Sequence, residues 1–148
     1  MITDVLSQIY QRDLEKLKVE IGQYGSDEQF WSVSEGITNS GGNLALHLVG
    51  NLTHFIGAVL GNSGYVRDRD AEFASKNVTR AELIAAVDEA AAVVAATLAK
   101  LTADEMAAEY PIDVFGHPMT TEFFLVHLTT HFNYHLGQIN YHRRLTTS

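Results

Sequence analysis

Four stripes of apolar residues, each stepping mostly by threes and fours, run through this chain and leave little room for any fold but a helical one. Leu6, Tyr10, Leu14, Leu17 and Ile21 share one helical face. Leu44, Leu48, Leu52, Phe55 and Val59 form the second stripe, and Leu83, Val87, Ala90, Val94, Leu98 and Leu101 the third. The fourth helix is predicted from residue 120 or 121 to 145. No strand-rich region competes with these patterns. They predict an all-α four-helix bundle with long connecting loops, built as a single domain over residues 1–148.

The boundaries carry their own signals. Thr3 or Asp4 can cap a first helix over residues 3–22, which Gly22 and Gly25 can end. A loop over residues 23–42 follows, with Phe30 and Trp31 as its anchors in the core. The second helix is predicted over 43–61. Gly50, Gly57 and Gly61 lie within it at a cost of about 1 kcal/mol for each interior one, which suggests that another backbone or a ligand comes close. Residues 62–78 are a polar connection with a charge cluster from Arg67 to Glu72, long for a plain turn. Thr79 and Glu82 make a capping box for the third helix, and Thr102 with Glu105 a shorter one. Residues 110–119, punctuated by Pro111, Gly116 and Pro118, read as an irregular or hairpin-like linker. With connections this long, a simple up-down-up-down path is not guaranteed.

Composition narrows the chemistry. Ten Lys and Arg against 18 Asp and Glu give a formal charge of -8, which disfavours nucleic acid and anionic membrane surfaces as partners. The chain has no cysteine, so disulfides, thiolate-ligated metals and a cysteine nucleophile are excluded together. Any thiol chemistry must use a thiol brought by a substrate. Residues 44–60 are free of formal charge, but His47, Asn51, Thr53 and His54 would be punished by lipid. Residues 83–99 hold Asp88 and Glu89. Both stretches are therefore read as buried helices rather than membrane spans. Residues 1–10 show no signal-peptide pattern, so a cytoplasmic setting is expected.

The histidines point to function. His127, His131 and His135 are spaced by four on the last helix, which puts neighbouring rings on one face with Cβ atoms roughly 5–6 Å apart. All three cannot easily reach one ion, because eight residues rise about 12 Å. Two pairs are possible, His127 with His131 or His131 with His135. A third ligand must come from another helix, and His47, which interrupts an apolar face, is the natural candidate. His54 lies about 10.5 Å further along the axis and belongs to another layer. Three neutral imidazoles with an open position describe a catalytic transition-metal site, and zinc, nickel and iron(II) all suit such ligands. The competing reading is that these are hydrogen-bonded packing residues. His117 is expected at the surface, and His142, beside Arg143 and Arg144, is expected to complement the helix dipole.

Other catalytic patterns are missing. There is no nucleophile elbow, phosphate loop or calcium loop. Phe132 follows His131 where the zinc-protease motif has a glutamate base. The run from Val66 to Phe73 could bind an anionic substrate through Arg67 or Arg69, although such runs are more often solvated or internally paired.

Taken together, HLTTHFNYHLGQINYHRR (residues 127–144), HLVGNL (residues 47–52) and RDRDAEF (residues 67–73) resemble the last-helix, second-helix and loop signatures of the DinB-like superfamily, in an uncharacterised branch of it. The resemblance implies a four-helix bundle, often a homodimer, with a divalent metal held by His47, His131 and His135. It also implies a thiol S-transferase-like activity, with a small-molecule thiol and an electrophile as partners. The glutamate that many relatives carry after the first of the two last-helix ligands is Phe132 here. Asn51 and Gln138, one turn from ligand positions, could orient a ligand or imidazole. Asn51 suits core packing equally well. Tyr134 and Tyr141 are read as packing or interface residues. A metal-dependent hydrolase using bound water, and a non-enzymatic metal-binding or structural protein, are the alternatives.

Overall fold

Each stripe becomes the buried face of a helix in the computed structural model, which describes residues 1–146. The long helices are α1 (Ile2–Gln23), α3 (Gly41–Leu52), α5 (Arg80–Lys100) and α7 (Thr121–Thr146). Short helices α2 (Asp27–Phe30), α4 (Arg69–Ala74) and α6 (Ala103–Ala107) sit in the connections. Among the described residues there is no strand, only one antiparallel bridge between Glu109 and Thr120 that closes the hairpin-like linker. Among the described residues no helix is long and apolar enough to cross a membrane. Leu17, Ile21, Phe30, Leu48, Leu83, Val94, Leu125 and Ile139 have almost no solvent exposure, and such side chains each contribute about 1.5–3 kcal/mol by burial.

The chain path is not up-down-up-down. Helix α1 packs against α5 and α7, and α3 packs against the same two. Thus α1 and α3 occupy one diagonal of the bundle, and α5 and α7 the other. The first and third connections cross the bundle ends, which is why both are long. The Trp31 indole fixes the first of them by donating to the Val78 carbonyl at 3.0 Å. Tyr110 fixes the third, its hydroxyl donating to the Phe55 carbonyl at 2.6 Å.

Several sequence expectations are corrected here. Helix α1 starts at Ile2, and the Asp4 carboxylate pairs with the terminal ammonium at 3.2 Å. The second helix starts earlier than expected, behind a Ser40 cap, and its α-helical part stops at Leu52. There the Thr53 hydroxyl donates to the Val49 carbonyl at 2.7 Å and competes with the backbone ladder. Residues Thr53–Ala58 then form a π-helical turn, with Val59 N–H bonded to His54 O. His142 does not serve the helix dipole. It is buried, its Nδ1 accepting from the Tyr24 hydroxyl at 2.6 Å and its Nε2–H donating to Ser32 O at 2.9 Å. It pins the first connection to α7. Tyr134 and Tyr141 are 67% and 65% exposed, the first edge-on to the His135 ring and the second beneath the Arg144 guanidinium.

Candidate metal centre

The packing of α3 on α7 brings His47 to face His131 and His135, which lie one turn apart. One ring nitrogen from each lies within 4.8 Å of the others. The three ring centroids are separated by 4.7 to 5.1 Å. His127 is not part of the group. Its ring lies parallel to Phe124 and edge-on to Phe115, in the cavity wall. Spacing had left two pairs open, and the fold brings His131 and His135 together with His47. His54 stands apart from the group, with Nδ1 buried and unpartnered. His117 is exposed in its loop.

Two of the three imidazoles are oriented by hydrogen bonds. His47 Nδ1 lies 3.0 Å from Glu72 Oε1, so Nδ1–H donates to the carboxylate and Nε2 is left bare. His135 Nδ1 lies 2.8 Å from Gln138 Oε1 and donates likewise. His131 Nε2 faces His47 Nε2 at 3.1 Å, and His131 Nδ1 is buried with no partner.

The residues fit a metal ion on three counts. The donors are three imidazole nitrogens, a set that suits transition ions. Two nitrogens on one ion at about 2.05 Å lie about 2.9 Å apart at a right angle and about 3.4 Å at the tetrahedral angle. The observed 3.1 Å falls between these. Finally, the orphaned His131 nitrogen is what remains when the other ring nitrogen serves a ligand rather than a protein partner.

Glu72 and Arg67 make the run an internally paired loop, one of the two forms expected for it, while Asp68, Arg69 and Asp70 are exposed. Arg67 binds both oxygens of Glu72, at 2.8 and 2.9 Å, and the two side chains are only 10% and 7% exposed. Arg67 thus faces a carboxylate of its own chain and is not available to an anionic substrate. Helix α4, capped by Asp68, carries Glu72 into place. Asn43 ties α4 to α3 by donating to the carbonyls of Glu72 and Ser75 at 3.0 and 2.8 Å. The approach needs Gly50, because a Cβ there would fall on the Glu72 carboxylate. That glycine was the one sequence sign of the contact. Phe73 packs on the His47 ring at 4.9 Å.

Burial disfavours the charged forms of His131 and His135. Burial, reinforced by His135 and His47, pushes the His131 imidazole from its ordinary 6.5 down to about 4. Burial also lowers His135, against the opposing hydrogen bond that it donates to Gln138. For Glu72, burial alone would raise the carboxyl, but hydrogen bonds from His47 and Arg67 outweigh it and hold it low. The unfolded chain therefore binds more protons than the folded one in acid. Stability from His131 is full above 6.5 and is lost as pH falls toward about 4, with Glu72 adding to the loss. In chelator, denaturation midpoints measured between pH 7.5 and 4 are expected to fall steadily below pH 6.5. A flat profile would mean that the imidazoles take up protons freely in the folded state.

The site opens on a cavity of about 370 Å³. Phe55, Phe73 and Phe115 give it apolar walls, while Asn51 and Arg69 are polar groups on its lining. Asn51 is 6% exposed, and its Oδ1 has no partner. Arg69 places its guanidinium 5.3 Å from the centre of the Phe73 ring.

No curated protein matches the chain significantly. Among solved structures it is similar to a DinB-like protein from Bacillus cereus ATCC 10987, with a TM-score of 0.69 at 18% identity, over 95% of this chain and 89% of that one. Residues 5–147 match the family described as "Protein of unknown function (DUF1572)". With that match spanning nearly the whole chain, and an all-helical fold like that of the DinB-like protein beneath it, the protein belongs to the DUF1572 family.

Proposed function

We propose that this protein is a divalent-metal-dependent S-transferase, with zinc, nickel or iron held by His47, His131 and His135. The observation that carries the reading is the convergence of three imidazole nitrogens within 4.8 Å at the wall of a cavity of about 370 Å³. A cation bound there supplies Lewis acidity that lowers the pKa of a small thiol and yields its nucleophilic form near neutral pH. Glu72 and Gln138 hold the His47 and His135 rings in the tautomer that leaves Nε2 free. Phe55, Phe73 and Phe115 limit water beside the sulfur. Phe132 is fully buried and offers no base, so the thiol proton passes to solvent. The sulfur lone pair then forms the bond to an electrophilic carbon, and the leaving group departs with its own bonding pair.

The test is a panel of low-molecular-weight thiols and alkylating electrophiles presented to protein loaded with each metal in turn. Metal-dependent consumption of both co-substrates is the expected result. Ester or amide hydrolysis without thiol would move the assignment to a hydrolase. Full metal occupancy with no turnover of any pair would overturn the enzymatic reading.

A further inference from the structure

We infer that the cavity beside the three histidines selects a small ligand bearing a carboxylate, and that Arg69 is the residue that recognises it. The inference rests on the S-transferase reading for its thiol and adds the class of thiol. It follows from the distribution of charge around the cavity. Arg67 and Arg69 both line it, but only one is available. Arg67 is buried and bound to both oxygens of Glu72, so its charge is cancelled within the protein. Arg69 is exposed on the lining and pairs with no carboxylate among the described residues. No Asp or Glu lines the cavity among the described residues. The neighbouring Asp68 is occupied in capping α4, its Oδ1 accepting the Ala71 N–H at 3.0 Å.

Arg69 is also held in place. Its guanidinium lies over the face of Phe73, which in turn packs on His47. A planar cation fixed near the three imidazoles suits two-pronged recognition of a carboxylate. A second observation points to a polar ligand. The Asn51 amide lines the same cavity, nine-tenths buried, with its oxygen unpartnered. Such an atom costs stability unless something donates to it, and a ligand hydroxyl or N–H would do so. The apolar walls between these two groups suit a short carbon chain.

Three thiols of nearly equal size separate the possibilities: mercaptoacetate, 2-mercaptoethanol and cysteamine carry an anionic, a neutral and a cationic end. Their binding to cobalt-loaded protein is read by sulfur-to-cobalt charge-transfer absorption, which needs no turnover. Mercaptoacetate is expected to bind at least tenfold more tightly than 2-mercaptoethanol, with cysteamine weakest, and added salt should shrink the gap. Arg69→Ala is expected to bring the three within about twofold while leaving 2-mercaptoethanol unchanged, and Arg69→Lys to restore part of the preference. Equal binding of the three by wild type, or a preference that survives Arg69→Ala, would overturn the inference while leaving the thiol reading intact. Should cobalt bind and no thiol follow, the thiol reading fails. The anion site is then judged on metal-free protein, by ligand-observed NMR with propionate against 1-propanol. Propionate binding to wild type that Arg69→Ala abolishes supports the site, and wild type that binds no propionate overturns it.

Discussion

Glu72→Ala is expected to destabilise the metal-free protein by about 3 kcal/mol, the cost of stranding a buried charge, and so to lower its thermal midpoint by roughly 6–12 °C. The reason is what the substitution leaves behind. Arg67 is 10% exposed at its side chain and directs two donors at Glu72, and His47 directs a third. Removing the acceptor leaves all three facing a protein wall. Removing both ends of the pair should cost far less, because no charge then stays buried alone. The double variant Arg67→Leu/Glu72→Met is therefore expected to be more stable than Glu72→Ala. Urea titration in chelator reads both. Should Glu72→Ala prove as stable as wild type, Arg67 swings freely to solvent and the pair contributes little.

The same substitution separates stability from metal affinity. Loss of the group that fixes a ligating imidazole lowers affinity by about 10–100-fold. Glu72→Gln keeps an oxygen that can accept from His47 Nδ1 but loses the charge opposite Arg67. It should retain most of the metal affinity of wild type while losing much of the stability. Glu72→Ala should lose both.

Why Glu72 escaped sequence reasoning is physical. The four helices were legible because each carries its own period, and the two capping boxes at Thr79 and Thr102 appear as written. The histidine group was legible in part. Spacing by four fixes neighbours on one helix, whereas the choice between His127 and His135 depends on the height at which α3 crosses α7. Resemblance implied His135, and the geometry brings it beside His47 and His131. The pairing of Glu72 with His47 depends on residues 62–78 folding back over α3, and no local pattern encodes that path. Only Gly50 hinted at it, through the close approach it allows. The end of α3 was misplaced for a related reason. Hydrophobic spacing continues through Thr53, and the side-chain bond that breaks the α-helix there leaves the stripe unchanged. His142 was misread because its position near a helix end suggested solvent, while the 31–40 connection covers it.

His131→Leu should have opposite effects with and without metal. A histidine that serves only packing is destabilising to lose. This one is held neutral by burial, keeps Nδ1 buried and unpartnered, and points Nε2 at another imidazole nitrogen. An unsatisfied buried polar atom costs about 1–3 kcal/mol, so leucine should leave the metal-free protein as stable as wild type or more so. Metal reverses the order. Zinc at a free concentration of 100 times its dissociation constant should stabilise wild type by about 2.7 kcal/mol, a rise of roughly 5–10 °C, and leave His131→Leu unmoved. Differential scanning in chelator and in buffered zinc gives both comparisons from two proteins. If the variant unfolds earlier in chelator and zinc shifts both proteins alike, the three imidazoles are packing residues and zinc binds elsewhere. Higher stability without metal, joined to loss of the zinc response, has a single physical source. The folded chain holds these rings at a cost that only a shared cation offsets.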